Sequence, residues 1–212
     1  MLHLPVLLVW LFHALLAFTP AADPKTVPVD DVEIVVEDLY TACGLVDEMD
    51  EVVFRAGEAR LALHGEDARI LAIADMSQPS TAKRLYIIDL QERRLLLRTY
   101  VAHGQNSGGL MASDFSNENG SHKTSLGLYR VGEKILSPKH GDALLLYGLD
   151  KGLNCQALPR EVIMHGADYV SEDFILANGR LGRSWGCPAV SREDMPRMIE
   201  WLAGGGLLYV HA

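Results

Sequence analysis

Cys187 lies in Arg180-Leu181-Gly182-Arg183-Ser184-Trp185-Gly186-Cys187-Pro188, a glycine-rich run that reads as a turn. Such turns expose a side chain at a sharp bend, where a nucleophile belongs. Pro188 biases Cys187 to an extended backbone and brings no N–H. Donors for an oxyanion must then come from the N–H groups of Cys187, Gly186 and Trp185. Arg180 and Arg183 would favour a thiolate. A lone cysteine is commonly a small buried hydrophobe, although Gly, Arg, Ser and Trp are not the usual neighbours of a core strand. The residues alone leave both readings of Cys187 open.

A thiol nucleophile needs a base. His165 ends the apolar strand Val162-Ile163-Met164 and precedes Gly166, so it leaves a strand towards a loop where it can face a neighbouring turn. The competing reading is a strand-end histidine bonded to a backbone group. His103, opening His103-Gly104-Gln105-Asn106-Ser107-Gly108, is the rival base, while His64, His140 and His211 read as residues of exposed turns or of the terminus. A metallopeptidase built on His165, Asp168 and another histidine fits neither HExxH nor another common zinc spacing, and there is no CxxC, so no metal site is expected. If Cys187 stays a thiol, Cys43 and Cys155 are the one intramolecular pair available. They are expected either to form a disulfide or to be inert fillers.

These residues need elements to hold them. From Arg69 the chain reads as short β-rich runs: Ile70–Ala74, Leu85–Asp89, Leu95–Ala102, Ser125–Val131, Ala143–Leu149 and Val162–His165. Leu90 to Arg94 is short enough to join two of them as a hairpin. Ser191 with Asp194 predicts a capping box for a helix to about Leu202, stopped by Gly204–Gly206 and followed by a last strand at Leu207–Val210. The segment from Gly104 to Lys123 is rich in Gly, Ser and Asn without a period, and ordered loops of that length tend to be functional. Ahead of Arg69, Val32, Val35, Val36, Leu39, Tyr40, Cys43 and Val46 recur at helical spacing, which puts Cys43 on an apolar face. A second helix is predicted from an Asp50 cap to Gly65.

Hydrophobic residues make up 49% of the 212 positions and charged ones 22%, the balance of an ordinary globular protein. The net charge of −9 is uneven: residues 23–67 hold thirteen acids and three bases, and the rest is close to neutral. No basic stripe exists to neutralise phosphates, so nucleic acid is not an expected partner. Residues 1–22 contain no Asp, Glu, Lys or Arg, and Leu4–Phe18 is almost unbroken apolar sequence ending before Thr19-Pro20-Ala21-Ala22. That length and ending predict a cleaved signal peptide rather than a span, hence export to the periplasm or cell envelope and no stable membrane span afterwards. The expected organisation is a signal at 1–22, an acidic helical extension at 23–67 and a catalytic domain at 68–212.

His165-Gly166, then Ser184-Trp185-Gly186-Cys187 after eighteen positions intervening from His165, resembles the L,D-transpeptidase (YkuD-like) signature of a histidine and then Ser/Thr-x-Gly-Cys. Leu85–Leu90 through Tyr100–Gly104 resembles the opening hairpin of that family, and Thr124-Ser125-Leu126-Gly127-Leu128-Tyr129 its Thr-Pro-x-Gly-x-Phe strand. His103-Gly104-x-Asn106-Ser107-Gly108, Phe115-Ser116-Asn117 and His165-Gly166-Ala167-Asp168-Tyr169 are similar to its murein L,D-transpeptidase branch. Trp185 departs from the family, where histidine is usual.

The resemblance implies an α+β fold, a mostly antiparallel β-sandwich catalytic domain with a few helices, here preceded by an N-terminal helical pair. It implies attack by a thiolate on the third residue of a peptidoglycan tetrapeptide stem, loss of the terminal D-alanine, a thioester at Cys187 and aminolysis by a second stem. No cofactor is needed for that chemistry. Carried over by position, Cys187 is the nucleophile, His165 the base, the Gly166 carbonyl its orienting group, and Ser184 and Gly186 shape the oxyanion side. Arg183, Trp185, His103, Asn106, Ser107, Ser116, Asn117 and Tyr169 are the implied substrate contacts. A hydrolase on the same site, an L,D-carboxypeptidase or endopeptidase, and a non-catalytic wall-binding module are the alternatives.

Overall fold

A computed structural model describes residues 38–64 and 66–212; the expected signal peptide, the start of the first expected helix and Gly65 lie outside the described residues. Glu37–Ala212 forms one compact unit.

Strand β1 (Ile70–Asp75) pairs antiparallel with β2 (Leu85–Asp89), which pairs with β3 (Arg94–Thr99) across the expected hairpin. β4 (Gly127–Ser137) and β5 (Gly141–Gly148) form a second antiparallel hairpin, and β6 (Ile163–Gly166) pairs with β5. A two-residue strand, β7 (Ala189–Val190), runs parallel to β6. β8 (Leu207–His211) lies between β1, to which it is parallel, and β4. The order is β3-β2-β1-β8-β4-β5-β6-β7.

The sheet is therefore mostly antiparallel, and its two layers belong to one continuous ladder joined by β8 and β4. Ile70, Ala72, Ala74, Leu85 and Ile87 meet Val131, Leu144, Leu146 and Met164 in one core. The alternate residues Leu71, Ile73, Tyr86, Ile88, Leu207 and Tyr209 face a second core. Strands buried on both faces read as continuous apolar runs, which is why β1 and β2 were legible without alternation.

The outer core is covered by two helices, α1 (Leu39–Ala42) and α2 (Glu51–His64). α2 begins as expected, with Asp50 Oδ1 accepting from the Val52 N–H at 2.8 Å, and buries Val53, Phe54 and Leu61. The first expected helix is corrected in its described part to a single turn. Gly44 at φ 68° turns the chain before Val46 can continue a helix, and Asp47 at φ 68° makes a further turn just after it. Cys43 still faces the core, beside Tyr40, Leu45 and Met49.

Two short helices complete the fold, α3 (Glu172–Asn178), capped by Ser171, and α4 (Met195–Leu202). Ser191 Oγ accepts from the Asp194 N–H at 3.0 Å and donates to Asp194 Oδ2 at 2.9 Å, closing the turn just ahead of α4. The expected capping box is corrected to that extent, since the N-cap of α4 is Asp194 and its side chain makes no cap bond. The disulfide reading is corrected: all three cysteines are free, with Cys43 buried in the outer core and Cys155 exposed.

Candidate active site

The register of β6 sets the site. His165 lies opposite Ala143 of β5 and Ala189 of β7, small neighbours on both sides, and Ala189 follows Cys187 by two positions. Parallel pairing of so short a strand brings the Cys187 turn against the histidine strand. Cys187 and His165 line one cavity of about 700 Å³, together with Ser184, Arg183, Trp185 and Tyr169.

His165 is buried, and its Nδ1 lies 3.1 Å from the Gly166 carbonyl oxygen. A carbonyl can only accept, so Nδ1 carries the proton and Nε2 keeps a free lone pair. Burial, opposed by that hydrogen bond, holds the imidazole well below the usual histidine range, at about 4. His140 stacks on it, ring centroids 3.7 Å apart and 25° between planes. The reading of His140 as an exposed-turn residue is thus corrected: the β4–β5 hairpin, longer than expected, folds its turn back onto the site.

His103 has the opposite tautomer. Arg84, itself fully buried, donates to His103 Nδ1 at 2.8 Å, which leaves Nε2–H to point at the Gly108 carbonyl at 3.4 Å. Both nitrogens are committed, and burial with the Arg84 charge holds the ring at about 4. His103 is 1% exposed and does not line the cavity, and its two hydrogen bonds fasten the start of the loop.

Cys187 is half-buried, with Sγ 3.9 Å from the Glu161 carbonyl. Burial pushes its thiol up, against the Ile163 backbone and the charges of Arg160 and Lys139. The thiolate expected from Arg180 and Arg183 is therefore corrected on two counts. Desolvation wins, and the opposing positive charge comes from other residues. Arg180 instead donates to the Leu181 carbonyl and Arg183 to the Gly108 carbonyl.

Gly186 sits at φ 115°, and a Cβ there would stand 2.7 Å from the Lys123 carbonyl oxygen. Only glycine fits this turn. Its N–H donates to Ser184 Oγ at 3.1 Å, and that hydroxyl donates to the Cys187 carbonyl at 2.6 Å. Gly186 is thus removed from the expected oxyanion donors, since its hydrogen is spent on the turn. The Cys187 and Trp185 N–H groups have no intramolecular acceptor among the described residues.

The long loop meets the Cys187 turn at a bridge between Gly104 and Ser184. Ser107 is fully buried and accepts from the Thr124 N–H at 2.9 Å, Asn106 donates to the Ser121 carbonyl at 2.9 Å, and Asn117 donates to Cys155 Sγ at 3.3 Å. The Ser116 carbonyl accepts from Arg160 at 2.8 Å. None of these four lines the cavity; each fastens the loop. Trp185, 62% exposed, stacks on His122 at 4.9 Å with Lys139 Nζ 4.4 Å from its ring centroid.

Arg160 is the residue the sequence did not single out. Half-buried on the cavity wall, it donates to the Ser116 and Lys123 carbonyls and to the hydroxyls of Ser121 and Ser125, tying the loop to the start of β6. An arginine five positions before a strand-end histidine was the available signal. No cluster of metal-ligating side chains occurs among the described residues.

Residues 51–211 match the family model described as the L,D-transpeptidase catalytic domain. The chain belongs to the L,D-transpeptidase family. Solved structures similar to it include an L,D-transpeptidase from Mycobacterium smegmatis, at 15% identity and TM-score 0.41, covering 68% of this chain and 59% of that one. Others are an L,D-transpeptidase (Yku) from Stackebrandtia nassauensis, 15% identical, TM-score 0.40, with 69% and 56% covered, and L,D-transpeptidase 3 from Mycobacterium tuberculosis, 15% identical, TM-score 0.41, with 68% and 62% covered. The match spans a little over half the length of these solved relatives. No curated protein sequence matches the chain.

Proposed function

We propose that this protein is an exported peptidoglycan L,D-transpeptidase acylated at Cys187 with His165 as its base. The observation that carries the reading is the sharing of one cavity by Cys187 and an imidazole whose Nε2 lone pair is free, within a chain of this family.

His165 Nε2 takes the thiol proton as Sγ attacks the carbonyl of the third residue of a stem. The S–C bond forms, the C–N bond to the terminal D-alanine breaks, and the imidazolium returns its proton to the departing amine. The amine of a second stem then displaces the thiol. The Cys187 and Trp185 N–H groups are the donors free for the developing oxyanion. The apolar, uncharged run at 4–18 supports export, with a mature start near Asp23 as the N-terminal sequencing result. No helix among the described residues is long and apolar enough to cross a membrane.

The test is incubation with tetrapeptide muropeptides, following D-alanine, the thioester and cross-linked product by mass spectrometry. Cys187→Ala, Cys187→Ser and His165→Ala each should lose about a thousandfold or more in release, with non-additive effects. Undiminished release by Cys187→Ala, or a thioester on Cys43 or Cys155, would sink the mechanism. Free tripeptide in place of cross-links would make the enzyme an L,D-carboxypeptidase.

A further inference from the structure

Positive charge is concentrated at the site of a chain whose net charge is −9. Lys139, Arg160 and Arg183 all line the cavity, and Glu161 is the one carboxylate among the lining residues. Among the described residues none of these three cations makes an ion pair, whereas Arg55, Arg69, Arg130, Lys134 and Arg192 do. The three are held by neutral groups instead: Arg160 by carbonyls and hydroxyls of the loop, Arg183 by the Gly108 carbonyl, and Lys139 by the face of Trp185.

Arg160 and Arg183 are partly desolvated, which holds both guanidinium groups below their usual range. A desolvated cation without a counter-charge is stabilised by an incoming anion, because the low local dielectric strengthens the attraction. The donors of Arg160 are engaged by the loop, so it contributes field. Arg183 has N–H groups beyond the one given to Gly108 and can grip a carboxylate by its fork. Lys139 adds a compact charge at the rim.

We propose that the site selects acyl donors whose α-carboxylates are free, over stems in which amidation has neutralised them. The proposal rests on the transpeptidase reading of the same site. A neutral carboxamide would leave Arg183 and Lys139 without a counter-charge and would lose the attraction of Arg160.

Two disaccharide tetrapeptide stems, both keeping the carboxylate of the terminal D-alanine and differing only in carboxamides in place of the free α-carboxylates before it, test it with the full chain. Single-turnover D-alanine release by wild type gives kcat/KM, and calorimetry with Cys187→Ala gives affinity without turnover. The free acid should be preferred about tenfold or more, mainly through KM and affinity, and the margin should narrow as salt is raised. Lys139→Gln, at an exposed position, should cut the margin about threefold, and Arg183→Gln further, while Arg183→Lys, which keeps the charge and loses the fork, recovers only part of it. Equal or better use of the amidated stem overturns the charge selection and leaves the transpeptidase reading standing. No release from either stem, with neither bound by Cys187→Ala, overturns both.

Discussion

The resting Cys187–His165 pair is expected to be uncharged, and the pH dependence of its chemistry is the most direct consequence of the geometry. An imidazole held near 4 is about one-thousandth protonated at pH 7. An ordinary thiol is about 3% ionised at that pH, and burial puts Cys187 lower still. Moving the proton from sulfur to nitrogen in the resting enzyme spans more than four pH units, or about 6 kcal/mol before the two charges attract each other. In the proposed mechanism the thiolate therefore forms during attack. Alkylation by iodoacetamide, read for each cysteine by peptide mass mapping between pH 5 and 10, should rise at Cys187 about tenfold per pH unit past neutrality without an acidic plateau. Exposed Cys155, held down by the Gly152 backbone and Asn117, should label first at pH 7. Turnover should fall only as acid protonates His165, near pH 4. A Cys187 alkylation rate that is flat from pH 5 to 8 would refute the reasoning, because only a preformed thiolate–imidazolium pair gives that profile.

Gly182→Ala should cost about 1–3 kcal/mol in thermal unfolding and raise KM, because the new Cβ would lie 2.4 Å from Tyr169 Cβ and force that ring off the cavity wall. Arg160→Gln removes the cation that ties the loop to β6; proteolysis between Gly104 and Lys123 should accelerate, with a stability loss of at least about 2 kcal/mol. Asp150, nearly buried, accepts from Arg60 at 3.0 Å, His64 at 2.7 Å and the Leu128 N–H at 2.7 Å, so Asp150→Ala should cost about 3–5 kcal/mol in denaturant unfolding. Opposed by burial, these partners hold its carboxyl below the usual range. Its contribution is then present above the unfolded value near 4 and disappears as pH falls through the lower folded value, and a wild-type acid limb that Asp150→Ala lacks is the check.

The sequence by itself determined the local features. Apolar runs of four or five residues specified β1, β2 and β8, the short polar interval at Leu90–Arg94 specified a hairpin, Asp50 specified a helix start and the Ser191–Asp194 pair the turn ahead of another. The turn chemistry around Gly186 and the histidine at a strand end made Cys187 and His165 candidates for the same reason, since φ preferences and hydrogen-bonding capacity act over a few residues, and the family resemblance chose between the readings they left open. What surrounds that pair depends on register between distant strands. The β4–β5 hairpin carries His140 onto His165, parallel pairing of β6 with β7 brings Cys187 to the same cavity, and Arg160 reaches the loop across more than thirty-five positions. Burial is also a tertiary quantity. Cys187 lies beside positive charge and still has a raised thiol, and His103 has both nitrogens taken by Arg84 and Gly108, because the folded packing sets how much water each group loses.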